Sequence, residues 1–119
     1  MNKKIAILGL GYVGLTLSLV LSQKGFRVYG IENNKIVSEM LTKGVPHFYE
    51  DGLEDILVEQ LSNSNFSIHS NVDNLDADIY IVTVGTPLDK NLRPNIGHIN
   101  SAIKTIASNL EKDDLVILR

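Results

Sequence analysis

An uncharged run over residues 5–22, interrupted by three glycines, constrains this chain more than any other feature. Lys3 and Lys4 precede it, and a basic start before an apolar stretch is typical of a signal peptide or a membrane helix. Glycine, however, destabilises a helix interior by about 1 kcal/mol relative to alanine, and no small-residue cleavage signature follows. The run divides more naturally into a strand, a glycine turn and a helix. We therefore expect no membrane segment and a cytoplasmic protein.

The rest of the chain repeats this alternation of strand and helix. Apolar runs predict strands at residues 5–8, 27–31, 66–68, 79–84 and 115–118. Helices are predicted at 13–24 and 35–43, from residue 51 onward, and around isoleucines 99, 103 and 106 with Leu110. Such alternation indicates an α/β fold: a Rossmann-type, doubly wound parallel sheet in a three-layer α/β/α arrangement.

Helical spacing and capping residues give finer predictions for three of these helices. In the first, one apolar stripe comprises Val13, Leu17, Val20 and Leu21, although Leu15 and Leu19 make that helix apolar on most sides. In the second, the inward residues are predicted to be Ile36, Val37, Met40 and Leu41. Asp51 is predicted to cap the third, with Glu54 three residues on as in a capping box.

Size and composition exclude several classes of protein. The 119 residues suit one domain, and the absence of cysteine excludes a disulfide scaffold, a thiolate metal site and a cysteine nucleophile within them. A net charge of −3 gives no electrostatic footprint for nucleic acid or an anionic membrane. His47, His69 and His98 lack metal-ligand spacing, so we expect no metal site. We assign no catalytic residue.

The motif G-x-G-x-x-G occupies residues 9–14, between the first predicted strand and helix. In such motifs the first glycine (Gly9) permits a tight turn, the second (Gly11) lets the backbone approach a pyrophosphate, and the third (Gly14) lets helix and strand pack closely. Backbone N–H groups near Tyr12 and Val13 would point at the anion, aided by the helix dipole. The motif predicts dinucleotide binding; the alternative is a turn in a sheet that binds nothing.

An acid at the end of the second strand indicates which dinucleotide is bound. Glu32 follows Gly14 at about the 20-residue spacing expected of the acid that holds the adenosine ribose. A carboxylate repels a 2′-phosphate, so NAD is favoured over NADP, although Lys35 nearby weakens this inference. FAD proteins and some methyltransferases also place an acid here. A Walker phosphate loop is excluded, because no G-x-x-x-x-G-K-[ST] motif occurs.

A second loop is predicted at the carboxyl end of the fourth strand. In an open α/β sheet, ligands bind where the strand order reverses, and strands one and four would flank that crevice. Gly85 allows a close backbone approach and Thr86 offers a hydroxyl. The alternative is an ordinary turn at a strand end. This loop opens the longest irregular stretch, residues 85–98, and long loops of this kind often carry function.

These motifs occur in an order that resembles a known family. The matching segments are GLGYVGL at 9–15, YGIE at 29–32, a segment at 46–53 containing YEDGL, VGTPL at 84–88 and LVIL at 115–118. Together they resemble the N-terminal NAD-binding domain of the UDP-glucose/GDP-mannose dehydrogenase family. The resemblance covers essentially the whole chain. The loop at 86–94 is most similar to the branch that oxidises UDP-N-acetylmannosamine.

The resemblance implies a nucleotide-sugar 6-dehydrogenase for surface polysaccharide precursors. Such enzymes oxidise a primary alcohol of a UDP-sugar (UDP-N-acetylmannosamine or UDP-glucose) to a carboxylate, with two NAD⁺ and an enzyme-bound thioester. It implies a pyrophosphate cradle at Gly9, Gly11, Tyr12, Val13 and Gly14. It also implies that Glu32, where relatives usually have Asp, and Lys35 approach the adenosine ribose, and that Thr86 contacts NAD.

The family pattern also implies what these residues lack. In relatives, the strand matching residues 115–118 runs into a Ser-Thr-x-Pro motif, and a catalytic cysteine, a lysine and a sugar-binding domain follow. We therefore expect a truncated NAD-binding domain, inactive alone, from a longer protein that forms homodimers. The alternative is a regulatory nucleotide-binding module without catalysis, such as those that gate ion channels.

Overall fold

The computed structural model describes residues 3–85 and 87–119, and in them the chain forms a five-stranded parallel sheet. The strands are β1 (Lys4–Leu8), β2 (Arg27–Ile31), β3 (Phe66–His69), β4 (Ile79–Val82) and β5 (Leu115–Leu118). Their order is β3-β2-β1-β4-β5, with every neighbouring pair parallel. Since the order reverses at β1 and β4, a crevice is expected at their carboxyl ends. The predicted Rossmann-type fold is confirmed.

Four helices cover the two faces of this sheet in the described part of the chain. They are α1 (Tyr12–Gln23), α2 (Lys35–Thr42), α3 (Leu53–Ser62) and α4 (Gly97–Ala107). Leucines of α1, α2 and α3 pack with Ile5, Ile7 and Val28 on one face. Ala102 and Ile106 of α4 pack with Ala6 and Leu8 on the other. The alternation of β1 side chains between the two cores is the period of two that a strand imposes. None of these helices is long and apolar enough to cross a membrane.

The stripe by which α1 meets the sheet differs from the predicted one. Its buried residues are Gly14, Leu15, Ser18, Leu19 and Ser22, whereas Val13 and Val20 are 47% and 45% exposed. Burial of the serines is tolerated because Ser18 and Ser22 donate their hydroxyls to carbonyls four residues earlier, at 2.6 and 2.8 Å. Leu17 and Leu21 of the predicted stripe are partly buried and pack against the core, so the prediction was wrong at Val13 and Val20 only. With leucines around most of the helix, the apolar pattern did not determine the rotation of α1.

The starts of two other helices also differ from expectation. Asp51 does not cap α3; its carboxylate accepts a hydrogen bond from the Tyr49 hydroxyl, and the turn before the helix is made by Gly52 at φ +80°. The cap of α2 is Asn34, whose Oδ1 accepts from the backbone N–H groups of Ile36 and Val37 at 3.0 and 3.2 Å. Ile36 itself is 71% exposed rather than inward.

The stability of the fold should depend on pH through His69 at the sheet edge. Its ring lies edge-on to Tyr29 and its Nε2 is 2.8 Å from Ser67 Oγ, and burial, then the charge of Arg27, lowers the pKa of His69. The unfolded chain therefore binds more protons, so the free energy of unfolding falls as pH drops below about 6.5 toward the lower folded pKa.

We expect His69→Gln to flatten the pH dependence of stability. Urea unfolding between about pH 7.5 and pH 5.5 measures this, in a range where most carboxylates stay ionised. His98→Gln, at an exposed position of α4, controls for the loss of an imidazole. An unchanged slope in His69→Gln would contradict the assignment.

Candidate functional site

A crevice of about 700 Å³ opens at the carboxyl ends of β1 and β4. The glycine loop, defined as residues 9–14, forms one wall through residues 9–13. The ends of β2 and β3 contribute Glu32 and Asn71, and the segment after β4 contributes Gly85. One face of α4 closes the far side. A volume of this size at the switch point of an α/β sheet is typical of a ligand or cofactor site.

Two glycines of the loop are required by packing. Gly9 has φ +93°, and a Cβ on it would lie 3.0 Å from the Val84 Cα. A Cβ on Gly14 would lie 1.8 Å from the Gly9 carbonyl oxygen and 2.5 Å from Thr83 Oγ1. Any side chain at Gly14 would therefore push α1 away from the end of β1.

Gly11 is different, because the fold places no demand on it. Its φ is −81°, which any residue adopts, and apart from its chain neighbours no atom of the described residues lies within 4 Å of the position that a Cβ would take. Gly11 lines the crevice, so the open space beside it is part of the crevice. A glycine that the protein's own packing does not need leaves room for a ligand to approach the backbone.

The backbone N–H groups beside that space, at the start of α1, have no hydrogen-bond acceptor among the described residues. α1 begins at Tyr12 without a side-chain cap, and its first turn holds no acidic residue. The first helical hydrogen bond runs from Leu15 N–H to the Gly11 carbonyl at 3.0 Å; within the described chain, the N–H groups of Tyr12, Val13 and Gly14 have no acceptor. Free N–H groups at the positive end of a helix dipole suit an anion such as a diphosphate.

Glu32 lines the crevice at the end of β2 and holds the loop at the same time. Its Oε1 accepts from the Leu10 N–H at 3.0 Å and its Oε2 from the Asn34 N–H at 2.9 Å. Each carboxylate oxygen has two acceptor sites, so both keep one for a ligand hydroxyl. The contact with Leu10 was not predicted from the sequence.

The structure does not bring every predicted residue into the crevice. Lys35 is the first residue of α2, exposed, and is absent from the described crevice wall. Gly85 lies in that wall, and apart from its chain neighbours no atom of the described residues lies within 4 Å of where its Cβ would be. Thr86 lies outside the described residues. Gly14 supports the loop from beneath rather than facing the crevice.

Several crevice residues were missed by sequence reasoning. On α4 they are His98, Ser101, Ala102 and Thr105, which share one helix face through spacings of three and four. That spacing of small and polar residues was a usable signal. Thr83 directly follows β4, and its one hydroxyl proton is within reach of the Gly9 carbonyl at 2.6 Å and the Leu8 carbonyl at 3.0 Å. The Leu8 carbonyl also accepts from the Thr83 N–H at 2.9 Å, so the shorter contact assigns the hydroxyl to Gly9. No local pattern indicates such a contact, because its partners lie more than seventy positions away.

The segment at 46–53 lies against the glycine loop. The Tyr12 ring stacks on Phe48 with centroids 4.3 Å apart and an interplanar angle of 19°. His47 meets Phe48 edge-on at 4.9 Å. These contacts cover one side of Tyr12, whose side chain is otherwise 63% exposed. The segment therefore forms an outer wall beside the loop.

Comparison with known proteins agrees with this geometry. The family model described as the UDP-glucose/GDP-mannose dehydrogenase family, NAD binding domain, matches residues 3–119. A UDP-N-acetyl-D-mannosamine dehydrogenase of Campylobacter jejuni is 35% identical over 116 residues, which are 97% of this chain and 28% of that protein.

Two solved structures have the same fold. The UDP-N-acetyl-mannosamine dehydrogenase Cap5O from S. aureus gives a TM-score of 0.91 at 26% identity, over 98% of this chain and 28% of that one. A GDP-mannose dehydrogenase from Pseudomonas aeruginosa, solved as a ternary complex, gives 0.90 at 28% identity, over 97% of this chain and 28% of that one.

The 119 residues thus span 28% of the length of each of these relatives. All three relatives are dehydrogenases, so the alternative of a regulatory module without catalysis is not favoured. The chain belongs to the UDP-glucose/GDP-mannose dehydrogenase family, as its NAD binding domain.

Proposed function

We propose that the crevice between β1 and β4 binds NAD, and that the chain is the cofactor domain of a nucleotide-sugar 6-dehydrogenase. The observation that carries the proposal is the open space at Gly11 beside the free N–H groups of Tyr12 and Val13. Among the described residues, no side chain fills the space through which an anion would approach these donors. The match of residues 3–119 to an NAD binding domain supports the same ligand.

Each wall of the crevice has a part in this binding mode. The diphosphate lies on the N–H groups of Tyr12 and Val13, at the N-terminus of α1. The Glu32 carboxylate accepts hydroxyls of the adenosine ribose, and Gly85 allows the backbone after β4 to approach the other half of the cofactor. NAD, when bound, supplies the hydride acceptor, and the protein supplies binding and orientation. Thr86 and Lys35 remain proposed contacts.

The proposed substrate of the whole protein is a UDP-sugar oxidised at a primary alcohol. The loop at 86–94 favours UDP-N-acetylmannosamine, with UDP-glucose as the alternative, and the Campylobacter jejuni relative is a UDP-N-acetyl-D-mannosamine dehydrogenase. We place the protein in the cytoplasm, as a homodimer that makes precursors of surface polysaccharide. These 119 residues contain no cysteine, so they lack the nucleophile that the family resemblance implies.

Calorimetric titration of the 119-residue chain tests the proposal. We expect NAD to bind, and we expect no NADH when UDP-N-acetylmannosamine or UDP-glucose is added, because the sugar-binding domain, lysine and cysteine that the family resemblance implies are not among these residues. Absorbance at the NADH band follows turnover. A chain that binds no NAD would contradict the proposed function. NADH production by the purified chain would show that the chemistry lies within these residues.

Alanine at two loop glycines should separate folding from binding. Gly14→Ala places a Cβ 1.8 Å from the Gly9 carbonyl oxygen, so we expect a loss of stability of about 2 kcal/mol or more. Apart from its chain neighbours, a Cβ on Gly11 meets no atom of the described residues within 4 Å, so for Gly11→Ala we expect a near-normal melting temperature and a loss of NAD affinity of at least about tenfold.

Thermal unfolding and NAD titration measure the two effects. Undiminished NAD affinity in Gly11→Ala would be inconsistent with a diphosphate on this loop.

The charge of Glu32 should set the preference for NAD over NADP. We expect the wild-type chain to bind NAD at least about tenfold more tightly, because the carboxylate repels a 2′-phosphate. Glu32→Ala should remove most of the difference. Glu32→Gln should also reduce the difference between the affinities for NAD and NADP, while its amide oxygen can still accept from the Leu10 N–H.

Parallel titrations with NAD and NADP give the two affinities. Glu39→Gln, which removes an exposed acid of α2, should leave the preference unchanged. Equal affinity of the wild-type chain for the two cofactors would refute the role of Glu32.

A further inference from the structure

We propose that Thr83 is a positioning residue that, opposite Glu32, holds the Gly9–Leu10 peptide group in the orientation needed for diphosphate binding. The inference rests on the proposed function, because it concerns the same crevice. Thr83 was not predicted from the sequence, and its contacts are made with protein backbone rather than with a ligand.

The two side chains grip opposite ends of one peptide group. Thr83 Oγ1 donates to the Gly9 carbonyl oxygen at 2.6 Å, from β4. Glu32 Oε1 accepts from the Leu10 N–H at 3.0 Å, from the end of β2. Because the carbonyl of Gly9 and the N–H of Leu10 belong to the same planar unit, the pair fixes the plane from both flanks of β1.

This peptide group is the one most in need of a fixed orientation. It joins Gly9, at φ +93°, to Leu10, whose side chain is fully buried in the core. Glycine accepts many backbone conformations, so the Gly9 side of this unit does not by itself fix the plane of the peptide group. Rotation would redirect the chain entering α1, and with it the free N–H groups of Tyr12 and Val13.

The Gly9 carbonyl has no second donor to take the place of Thr83. In the described chain, its only hydrogen bond is the one from Thr83 Oγ1, and Thr83 is half-buried. The same oxygen lies directly under Gly14, in the narrowest contact between α1 and the sheet. The hydrogen bond from the Thr83 hydroxyl therefore fixes the position of the Gly9 carbonyl, where β1, the glycine loop and α1 meet.

The isosteric variant Thr83→Val removes the hydroxyl and keeps the shape, and Thr83→Ser restores the donor. We expect Thr83→Val to weaken binding of NAD and ADP by about two- to tenfold, the net value of one hydrogen bond. Adenosine, which has no diphosphate, should bind as it does to the wild-type chain. Thr83→Ser should recover NAD affinity to within about twofold.

Calorimetric titration with NAD, ADP and adenosine measures these affinities, and the amide resonance of Leu10 in ¹H–¹⁵N spectra reports the peptide group directly. We expect that resonance to move in Thr83→Val and to return toward its wild-type position in Thr83→Ser. A loss of stability alone would lower the affinity for adenosine together with that for NAD.

The remaining outcomes separate a failure of the role proposed for Thr83 from a failure of the proposed NAD binding. Wild-type NAD affinity in Thr83→Val, an equal loss for adenosine, or no recovery in Thr83→Ser would overturn the role of Thr83. Failure of the wild-type chain to bind NAD would contradict the proposed function instead. In that case an unmoved Leu10 resonance in Thr83→Val would also overturn the proposal that Thr83 holds the Gly9–Leu10 peptide group. A Leu10 resonance that moves would support that contact independently of NAD binding.

Discussion

The close contact between α1 and the end of β1 is the constraint on which the rest of the structure depends. At Gly14 the helix backbone approaches the Gly9 carbonyl so closely that a Cβ would lie 1.8 Å from that oxygen. Ser18 and Ser22 continue the same small face at intervals of four residues, and both are fully buried. Small residues along one face let α1 lie flat on the sheet, and the N-terminus of the helix then meets the crevice.

The chemistry of the crevice follows from that placement. Its two ends offer opposite hydrogen-bonding characters: free backbone N–H donors at the start of α1, and a carboxylate at the end of β2. A dinucleotide carries the complementary groups, an anionic diphosphate and neutral ribose hydroxyls. Glu32 is kept from closing over the donors because both of its oxygens are already held by backbone N–H groups.

Strands were easier to predict than the faces of helices. Residues 27–31 and 115–118 were predicted to the residue. At 115–118 a continuous apolar run lies between Asp114 and Arg119, which leaves little choice for the ends of the strand. The predicted stripe of α1 was wrong at Val13 and Val20, because a helix rich in leucine on most sides has no single apolar face and a tertiary contact at Gly14 selects the rotation. The glycine motif indicated the crevice, but Thr83 joins it through partners 74 and 75 residues away. Contacts of that kind leave no local pattern.

The structure also separates the general part of this site from the part that distinguishes it. A G-x-G-x-x-G turn recurs in many dinucleotide-binding proteins, and by itself it specifies little beyond an anion. Here three neighbours hold the turn: Thr83 at Gly9, Glu32 at Leu10, and Phe48 against the ring of Tyr12. Phe48 belongs to the segment at 46–53, one of the motifs on which the family resemblance was based. One of the family's distinctive segments thus packs beside the glycine loop that many other proteins share. For this reason the ordered set of motifs identified the family, which the glycine motif alone could not do.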